Sequence, residues 1–406
     1  MIPAPRSRFP VPGVLVTQAT TIILGGGIAG LWLCDALRLR GDAVVLVEST
    51  ALGTGQTISS QGIIHGGVKY ALAGALTESA TNIGEMPGRW RAALAGSGEP
   101  DLRDAVLRAD YCHLWQTEGL SSGLGMLGAR LALEVTPRLL PPTDRPEILR
   151  RCPGAVARLD EPVVDVASVL RVLANRNAGH LLLVEEVQLR RGAEGRVLGV
   201  QVSAAGKSLD LDAGTVVLLA GSGNAALRSA AGLDPKAMQR RPLHMVMVRG
   251  SLPVLNGHCV DGAATRATIT TVHDSHGRAV WLVGGLVAEQ GVGMTPEVLR
   301  AHARQELEAI LPGVSLADVE WGTWRVDRAE RAVPGGARPD DVQIIGEHNV
   351  LSAWPTKLAL APRLADRLME MIPPTRGPMP VVPDDWPRPA VAVPPWDAEA
   401  AWHHEP

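Results

Sequence analysis

Residues 20–48 read TTIILGGGIAGLWLCDALRLRGDAVVLVE, and they indicate what kind of core the chain folds around. An apolar run at 21–24 leads directly into a glycine-rich turn at 25–30, and apolar residues then recur at helical spacing until Gly41. A second β-rich run follows and stops at Glu48. Strand, glycine turn, helix, strand and terminal acid, in that order, predict a βαβ unit that binds a dinucleotide.

Each glycine of the turn has a mechanical task in such a unit. Gly25 makes the tight turn, Gly27 lets the backbone approach a pyrophosphate, and Gly30 lets the helix pack closely on the strand. The helix start, at Ile28 and Ala29, offers N–H groups and the positive end of the helix dipole to phosphates. The unit by itself leaves FAD and NAD open as the ligand.

Glu48 and the segment after it extend the predicted site. The Glu48 carboxylate is positioned to accept hydrogen bonds from an adenosine ribose. Residues 49–67 (STALGTGQTISSQGIIHGG) are rich in glycine and small hydroxylated residues, so they can run along an extended cofactor and donate hydrogen bonds to it. The candidate contacts in this segment are Ser49, Thr57, Ser59, Ser60, Gln61, Gly62 and Ile63.

Bulk composition limits the classes of protein to consider. With 406 residues, 46% hydrophobic and 20% charged, the chain is typical of a soluble globular protein with two intertwined domains. A net charge of −3 gives no reason to expect a nucleic acid or an anionic membrane as partner. No signal peptide or membrane span is predicted. Four scattered cysteines indicate neither a metal site nor a disulfide framework, and they favour a cytoplasmic location.

The stretch IHGGVKY at 64–70 makes a family resemblance visible. With the βαβ unit, it resembles the FAD-dependent oxidoreductases of the D-amino-acid oxidase/glycerol-3-phosphate dehydrogenase superfamily, on the side of glycerol-3-phosphate dehydrogenase and L-2-hydroxyglutarate oxidase. The resemblance implies non-covalent FAD and an α/β fold (α+β overall), in which a Rossmann-type FAD-binding domain is interrupted twice by a β-sheet substrate domain. The expected limits are 15–80, 156–243 and 326–373 for the FAD-binding domain, 81–155 and 244–325 for the substrate domain, and 374–406 for a proline-rich tail without periodic structure.

The resemblance also implies further cofactor contacts. The glycine cluster after the apolar run at 216–220 matches a second phosphate-side turn, and a closing loop before the last helix resembles the family segment that faces the flavin. These matches add Ala220, Gly221, Gly223, Thr356, Lys357 and Leu358 to the predicted cofactor site, and the segment HLLLVEEVQLRR, which resembles the family's adenine-contacting strand, adds Val187.

Six side chains match active-site positions of the family. They are His65, Lys69, His244, Arg325, Arg338 and Lys357. Whether His65 is chemically active or packs against the cofactor is open, and Arg328 paired with Glu330 is a rival for Arg325. Converging cations suit a carboxylate or a phosphate.

The predicted activity is therefore hydride transfer from a CH–OH group of a small anionic 2-hydroxy acid or polyol phosphate to flavin N5, with O₂ or a quinone as electron acceptor. Two alternatives remain: an amine or amino-acid oxidase of the glycine/sarcosine oxidase type, and a flavin-bound enzyme acting on a macromolecule such as RNA. The oligomeric state is left open.

Overall fold

The computed structural model describes residues 14–67, 83–117, 137–261, 264–374, 383–398 and 402–404. The helices are α1 Ile28–Arg40, α2 Met86–Leu94, α3 Val166–Arg176, α4 Asn224–Ala230, α5 Leu286–Gln290, α6 Pro296–Ile310 and α7 Ala361–Met371. The strands are β1 Val14–Leu24, β2 Val44–Glu48, β3 Leu107–Ala109, β4 Cys112–Trp115, β5 Arg138–Leu139, β6 Val156–Leu159, β7 Val163–Val164, β8 Leu181–Leu183, β9 Glu186–Arg191, β10 Val197–Ala204, β11 Lys207–Leu218, β12 Met238–Arg249, β13 Gly257–Asp261, β14 Ala264–His273, β15 Ala279–Gly284, β16 Glu320–Arg331, β17 Gln343–Glu347, β18 Val350–Trp354 and β19 His403–His404.

The first sheet is built around the βαβ unit that the sequence predicted. Its strand order is β17-β18-β11-β1-β2-β8, with β10 and β9 attached antiparallel beyond β11. The central strands run parallel, so β11, β1 and β2 all end at the same edge of the sheet. Helices α1, α3 and α7 contribute to one continuous apolar core on a face of this sheet, which explains the near-continuous apolar runs of its strands.

Helix α1 begins and ends where the glycines of the sequence place it. Gly41 closes it in the left-handed conformation, with φ of 86°, and its N–H donates to the carbonyl of Arg38 at 3.0 Å. At the other end, a Cβ on Gly30 would lie only 2.0 Å from the carbonyl oxygen of Gly25. The helix therefore packs on the preceding turn at a separation that only glycine allows.

The second sheet has the order β19-β16-β12-β15-β14-β13-β4-β6-β5 and is mostly antiparallel. Its strands come from three separate stretches of the chain, at 112–159, 238–331 and 403–404. The first two alternate with strands of the first sheet, as the predicted α/β fold with two interruptions requires. Strands β12 and β16 pair over their full lengths, so the predicted domain limits at 243/244 and 325/326 fall inside continuous strands. Strand β6 also pairs within this sheet. The division into domains remains a prediction.

The end of the chain lies across both sheets. Trp386 is 2% exposed and donates its indole N–H to the carbonyl of Leu183. Trp396 is buried in a small apolar cluster formed with strands of the second sheet. The expectation of a tail without periodic structure is corrected at β19, which pairs with β16. In the described part of the chain, none of the helices combines the length and apolar character needed to cross a membrane.

Asp35 connects α1 to α3 from inside the core. Its side chain is fully buried and accepts hydrogen bonds from Arg38 at 2.7 Å, from Arg176 at 3.0 and 3.1 Å, and from Asn177 at 3.3 Å. Removing one member of such a network leaves the remaining charges with unmet hydrogen bonds.

We expect Asp35→Ala to lower the free energy of unfolding by about 1.5–3 kcal/mol, the value of hydrogen bonds to charged groups. Urea denaturation followed by circular dichroism measures the change. The control is Glu147→Ala, because the Glu147–Arg150 pair is exposed and should contribute less than about 1 kcal/mol. Equal midpoints for the two variants would contradict this role of Asp35.

Candidate active site

A cavity of about 1110 Å³ lies where the carboxyl ends of β1, β2 and β11 face the second sheet. The first sheet contributes the glycine turn, the end of β2 and the turn after β11. The second sheet contributes residues of β12, β14, β15 and β16, and the segment after β18 completes the lining. This is the edge at which open parallel sheets bind their ligands.

The glycine turn brings backbone, not side chains, to the cavity. Gly25 has φ of 120°, and a Cβ on it would lie 2.5 Å from the backbone of Leu219 and Ala220. Gly27 is the N-cap of α1 and carries no side-chain cap, although the N–H of Ile28 donates to the Thr57 hydroxyl at 3.3 Å. The positive end of α1 therefore opens on the cavity.

Glu48 is fixed at the end of β2 by four hydrogen bonds. One carboxylate oxygen accepts the N–H of Gly26 at 2.7 Å. The other accepts the N–H groups of Ser49 and Thr50 at 2.9 Å and the Thr50 hydroxyl at 3.0 Å. The same carboxylate lines the cavity, so it is held in one orientation beside the glycine turn.

The segment that follows crosses from the first sheet to the second. The side-chain amide of Gln61 donates to the backbone carbonyls of Thr268 at 2.9 Å and Leu282 at 2.8 Å. The side-chain carbonyl of Gln56 accepts the backbone N–H of Ala329 at 3.0 Å. These bonds hold residues 56–63 along the cavity floor. The predicted contact residues of this segment accordingly line the cavity.

Two buried hydroxyls on the cavity lining have unmet hydrogen-bonding capacity. Within the described ranges, the hydroxyls of Ser60 and Thr356 make no hydrogen bond. Thr356 also has φ of 61°, an unusual backbone conformation for a β-branched residue. Buried polar groups without partners are rare in folded proteins, so this pair fits a polar cofactor that enters the cavity.

The cationic side chains have different surroundings. Arg325 lines the cavity, but its guanidinium donates to the carbonyls of Val292 at 3.0 Å and Met294 at 3.2 Å. Arg338 and the buried Lys357 also line the cavity. The structure thus brings Arg325, Arg338 and Lys357 to one cavity with His65, and the catalytic roles expected for them stay predictions.

Arg328 belongs to the same lining, and its predicted partner was wrong. Arg328 donates to Glu289 at 3.1 Å, whereas Glu330 pairs with Arg241 at 3.3 Å. Burial, together with the positive charges of Arg241 and Arg338, lowers the pKa of the Arg328 guanidinium. Arg328 and Arg338 therefore lie close together on a lining that also carries the carboxylates of Glu289 and Asp327.

Two predicted residues, His244 and Gly30, do not lie on the cavity lining. His244 is buried within β12, opposite Arg325, and its ring contacts the carbonyl of Gly291 at 3.0 Å; burial lowers its pKa. The active-site role that the family resemblance implies for His244 stays a prediction. Gly30 serves packing within the βαβ unit. Lys69 lies outside the described residues.

The remaining predicted cofactor contacts all line the cavity. They are Gly25, Gly27, Ile28, Ala29, Glu48, Ser49, Thr57, Ser59, Ser60, Gln61, Gly62, Ile63, Val187, Ala220, Gly221, Gly223, Thr356, Lys357 and Leu358. Sequence reasoning missed Glu289 and Thr268 on the lining, and Glu161, which accepts the N–H of Gly66 at 2.6 Å behind it. No local pattern marks these three, because their place depends on contacts between distant segments.

Comparison with known proteins assigns the chain to a flavoenzyme family. The profile of the family described as FAD dependent oxidoreductase (DAO) matches residues 20–362. The chain belongs to this family, and it is an FAD-dependent oxidoreductase. The predicted family, cofactor and Rossmann-type FAD-binding fold are thereby confirmed.

A relative along nearly the whole length is the probable FAD-dependent oxidoreductase PA4991 of Pseudomonas aeruginosa. It is 43% identical over 392 residues, which are 94% of this chain and 98% of the relative. The crystal structure of the P. aeruginosa protein superposes with a TM-score of 0.79 at 39% identity, covering 95% of this chain and 99% of that one.

More distant structures share the fold. Glycine oxidase from Geobacillus kaustophilus has a TM-score of 0.65 at 15% identity, covering 88% of this chain and 95% of its own. Glycerol-3-phosphate dehydrogenase from Bacillus halodurans, solved in complex with FAD, has a TM-score of 0.56 at 15% identity, covering 87% and 64%. Enzymes of both substrate classes therefore have this fold, so the fold does not identify the substrate.

Gly27→Val tests the site at the helix start. The backbone of Gly27 has φ of −74°, which valine adopts without strain, and the nearest atom to a Cβ there is the Thr57 hydroxyl at 3.2 Å. We expect a folded protein that no longer retains FAD after purification, because the valine occupies the approach to the α1 N-terminus. Absorbance of the flavin per chain measures this. Gly179→Val is the control, since its Cβ meets nothing within 4 Å; full FAD occupancy in Gly27→Val would contradict the assignment.

Proposed function

We propose that the protein uses non-covalently bound FAD to oxidise the CH–OH group of a small anionic substrate, a 2-hydroxy acid or a polyol phosphate. The observation that carries this proposal is the convergence of Arg328, Arg338 and Lys357 on the cavity that His65 also lines. Guanidinium groups bind carboxylates and phosphates through paired hydrogen bonds, so this cationic region suits either anion.

The cofactor occupies the part of the cavity nearest the first sheet in this proposal. The α1 N-terminus and the turn at 220–223 hold the pyrophosphate, Glu48 holds the ribose, and Val187 lies against the adenine. Residues 59–63 and 356–358 hold the flavin ring, where the Ser60 and Thr356 hydroxyls find the partners that they lack. When bound, FAD supplies a hydride acceptor at flavin N5.

The substrate then lies between the flavin-binding segments and the second sheet. Arg338 and Arg328 bind its anionic group, and Glu289 keeps the Arg328 guanidinium in place through their 3.1 Å bond. His65 and Lys357 contact the substrate oxygen. Positive charge at Lys357 favours the deprotonated form of the substrate hydroxyl, whose proton passes to the neutral His65 imidazole. The hydrogen on the same carbon then leaves more readily as a hydride.

A second candidate is oxidation of a CH–NH group in an amino acid. Glu289 supports it, because a carboxylate on the cavity lining suits a substrate ammonium group. Glycine oxidase and the L-proline dehydrogenase of P. horikoshii share the fold, which is compatible with this candidate. Glu289 already forms ion pairs with Arg328 and Arg241. Because these pairs neutralise its carboxylate, Glu289 attracts a substrate ammonium group less, which favours the first candidate.

The decisive experiment is anaerobic bleaching of the bound flavin by 2-hydroxy acids, polyol phosphates and amino acids. We expect a hydroxy acid or polyol phosphate to bleach it. Arg338→Lys should raise the half-saturating concentration about tenfold while changing the limiting rate less, because lysine keeps the charge but loses the planar fork.

Arg331→Lys is the matched control, because Arg331 is exposed at the end of β16, away from the cavity lining. Bleaching by amino acids alone would favour the second candidate. If no compound with an anionic group bleaches the flavin, both candidates are contradicted.

A further inference from the structure

His65, Glu161 and His258 form a cluster behind the cavity lining, which we name the His–Glu–His cluster. Their nitrogen and oxygen ligand atoms all lie within 4.8 Å of one another. The three residues come from separate parts of the chain: the segment after β2, the turn between β6 and β7, and strand β13. No sequence pattern groups them, since His65 and Glu161 alone are 96 positions apart.

One carboxylate oxygen of Glu161 occupies the centre of the cluster. It lies 3.4 Å from Nδ1 of His65 and 3.9 Å from Nε2 of His258. In a tetrahedral site with metal–ligand bonds of about 2.0–2.2 Å, neighbouring ligand atoms are about 3.3–3.6 Å apart. The two separations from the Glu161 oxygen are therefore close to those that one metal ion imposes, and the two imidazole nitrogens lie within 4.8 Å of each other.

The outer contacts of the cluster orient its ligands. Nδ1 of His258 lies 2.9 Å from the Thr268 hydroxyl, which leaves Nε2 as the nitrogen that faces Glu161. The second oxygen of Glu161 accepts the backbone N–H of Gly66 at 2.6 Å. Metal-binding imidazoles and carboxylates are commonly fixed in this way, through the atom that does not bind the metal.

Burial gives a reason for a positive ion at this place. Glu161 and His258 are fully buried, and the His65 side chain is 17% exposed. A carboxylate withdrawn from water needs compensating positive charge and hydrogen bonds. A divalent ion bound by Glu161 and two neutral imidazoles adds positive charge at this buried carboxylate, beside the contacts that Glu161 already makes.

We propose that His65, Glu161 and His258 bind a divalent transition-metal ion. Two imidazoles and one carboxylate are ligands that suit Zn²⁺ and Fe²⁺. Through Nδ1 of His65, the ion fixes the orientation of a ring that lines the active-site cavity. This site is independent of the identity of the substrate, and its occupancy is measurable without turnover.

The test uses the full-length FAD-loaded protein without an affinity tag, incubated with Zn²⁺ or, anaerobically, with Fe²⁺ and then desalted. Elemental analysis by mass spectrometry should find about one metal equivalent per chain. Glu161→Gln and His258→Gln should each lose most of it while keeping the flavin absorbance. A double variant, His403→Gln with His404→Gln, is the control, because that exposed pair is a source of adventitious binding.

X-ray absorption at the metal edge of the unsubstituted protein provides a second measurement that does not depend on the folding of a variant. We expect nitrogen and oxygen ligands only, with scattering from two imidazole rings. Less than about 0.1 equivalent of bound metal, a sulfur ligand, or unchanged binding in a folded Glu161→Gln protein would each overturn the proposal. If the protein binds almost no metal, hydrogen bonds alone hold the cluster together.

Discussion

The bond from the Gly26 N–H to the Glu48 carboxylate is the contact on which the cofactor site depends. At 2.7 Å it joins the turn after β1 to the end of β2 and leaves the α1 N-terminus open to the cavity. The turn also has to pass within van der Waals distance of Leu219 and Ala220, which only glycine at position 25 allows. The helix start that we propose for phosphate binding and the carboxylate that we propose for ribose binding are thus joined through one turn of backbone.

The second requirement is that two sheets enclose one cavity. Gln61 donates to carbonyls of two strands in the second sheet, and Gln56 accepts a backbone N–H from a third. The segment after β2 is therefore bound on one side to the FAD-binding sheet and on the other to the sheet that carries Arg325 and Arg328. Gln56 and Gln61 therefore fix the position of the cofactor segments relative to the cationic region.

The sequence was most informative where function depends on neighbours along the chain. The βαβ unit, its glycines, Glu48 and the segment ending at His65 all follow from local spacing. It was least informative where position depends on pairing between distant strands. His244 faces the carbonyl of Gly291 because of the register of β12. Arg328 on β16 donates to Glu289 on α5, which is distant in sequence, and not to the nearby Glu330. Glu161 reaches His65 only through the complete fold, so its part in the site was not predictable.

The dissociation constant of FAD for Glu48→Gln, compared with that of the unsubstituted protein, tests the central claim most directly. Glutamine keeps the size of the side chain but removes the charge and one acceptor. The account predicts binding weaker by roughly ten- to a hundredfold, equivalent to about 1.5–3 kcal/mol, with Glu186→Gln on the exposed strand β9 unchanged. An equal dissociation constant for Glu48→Gln and the unsubstituted protein would contradict it.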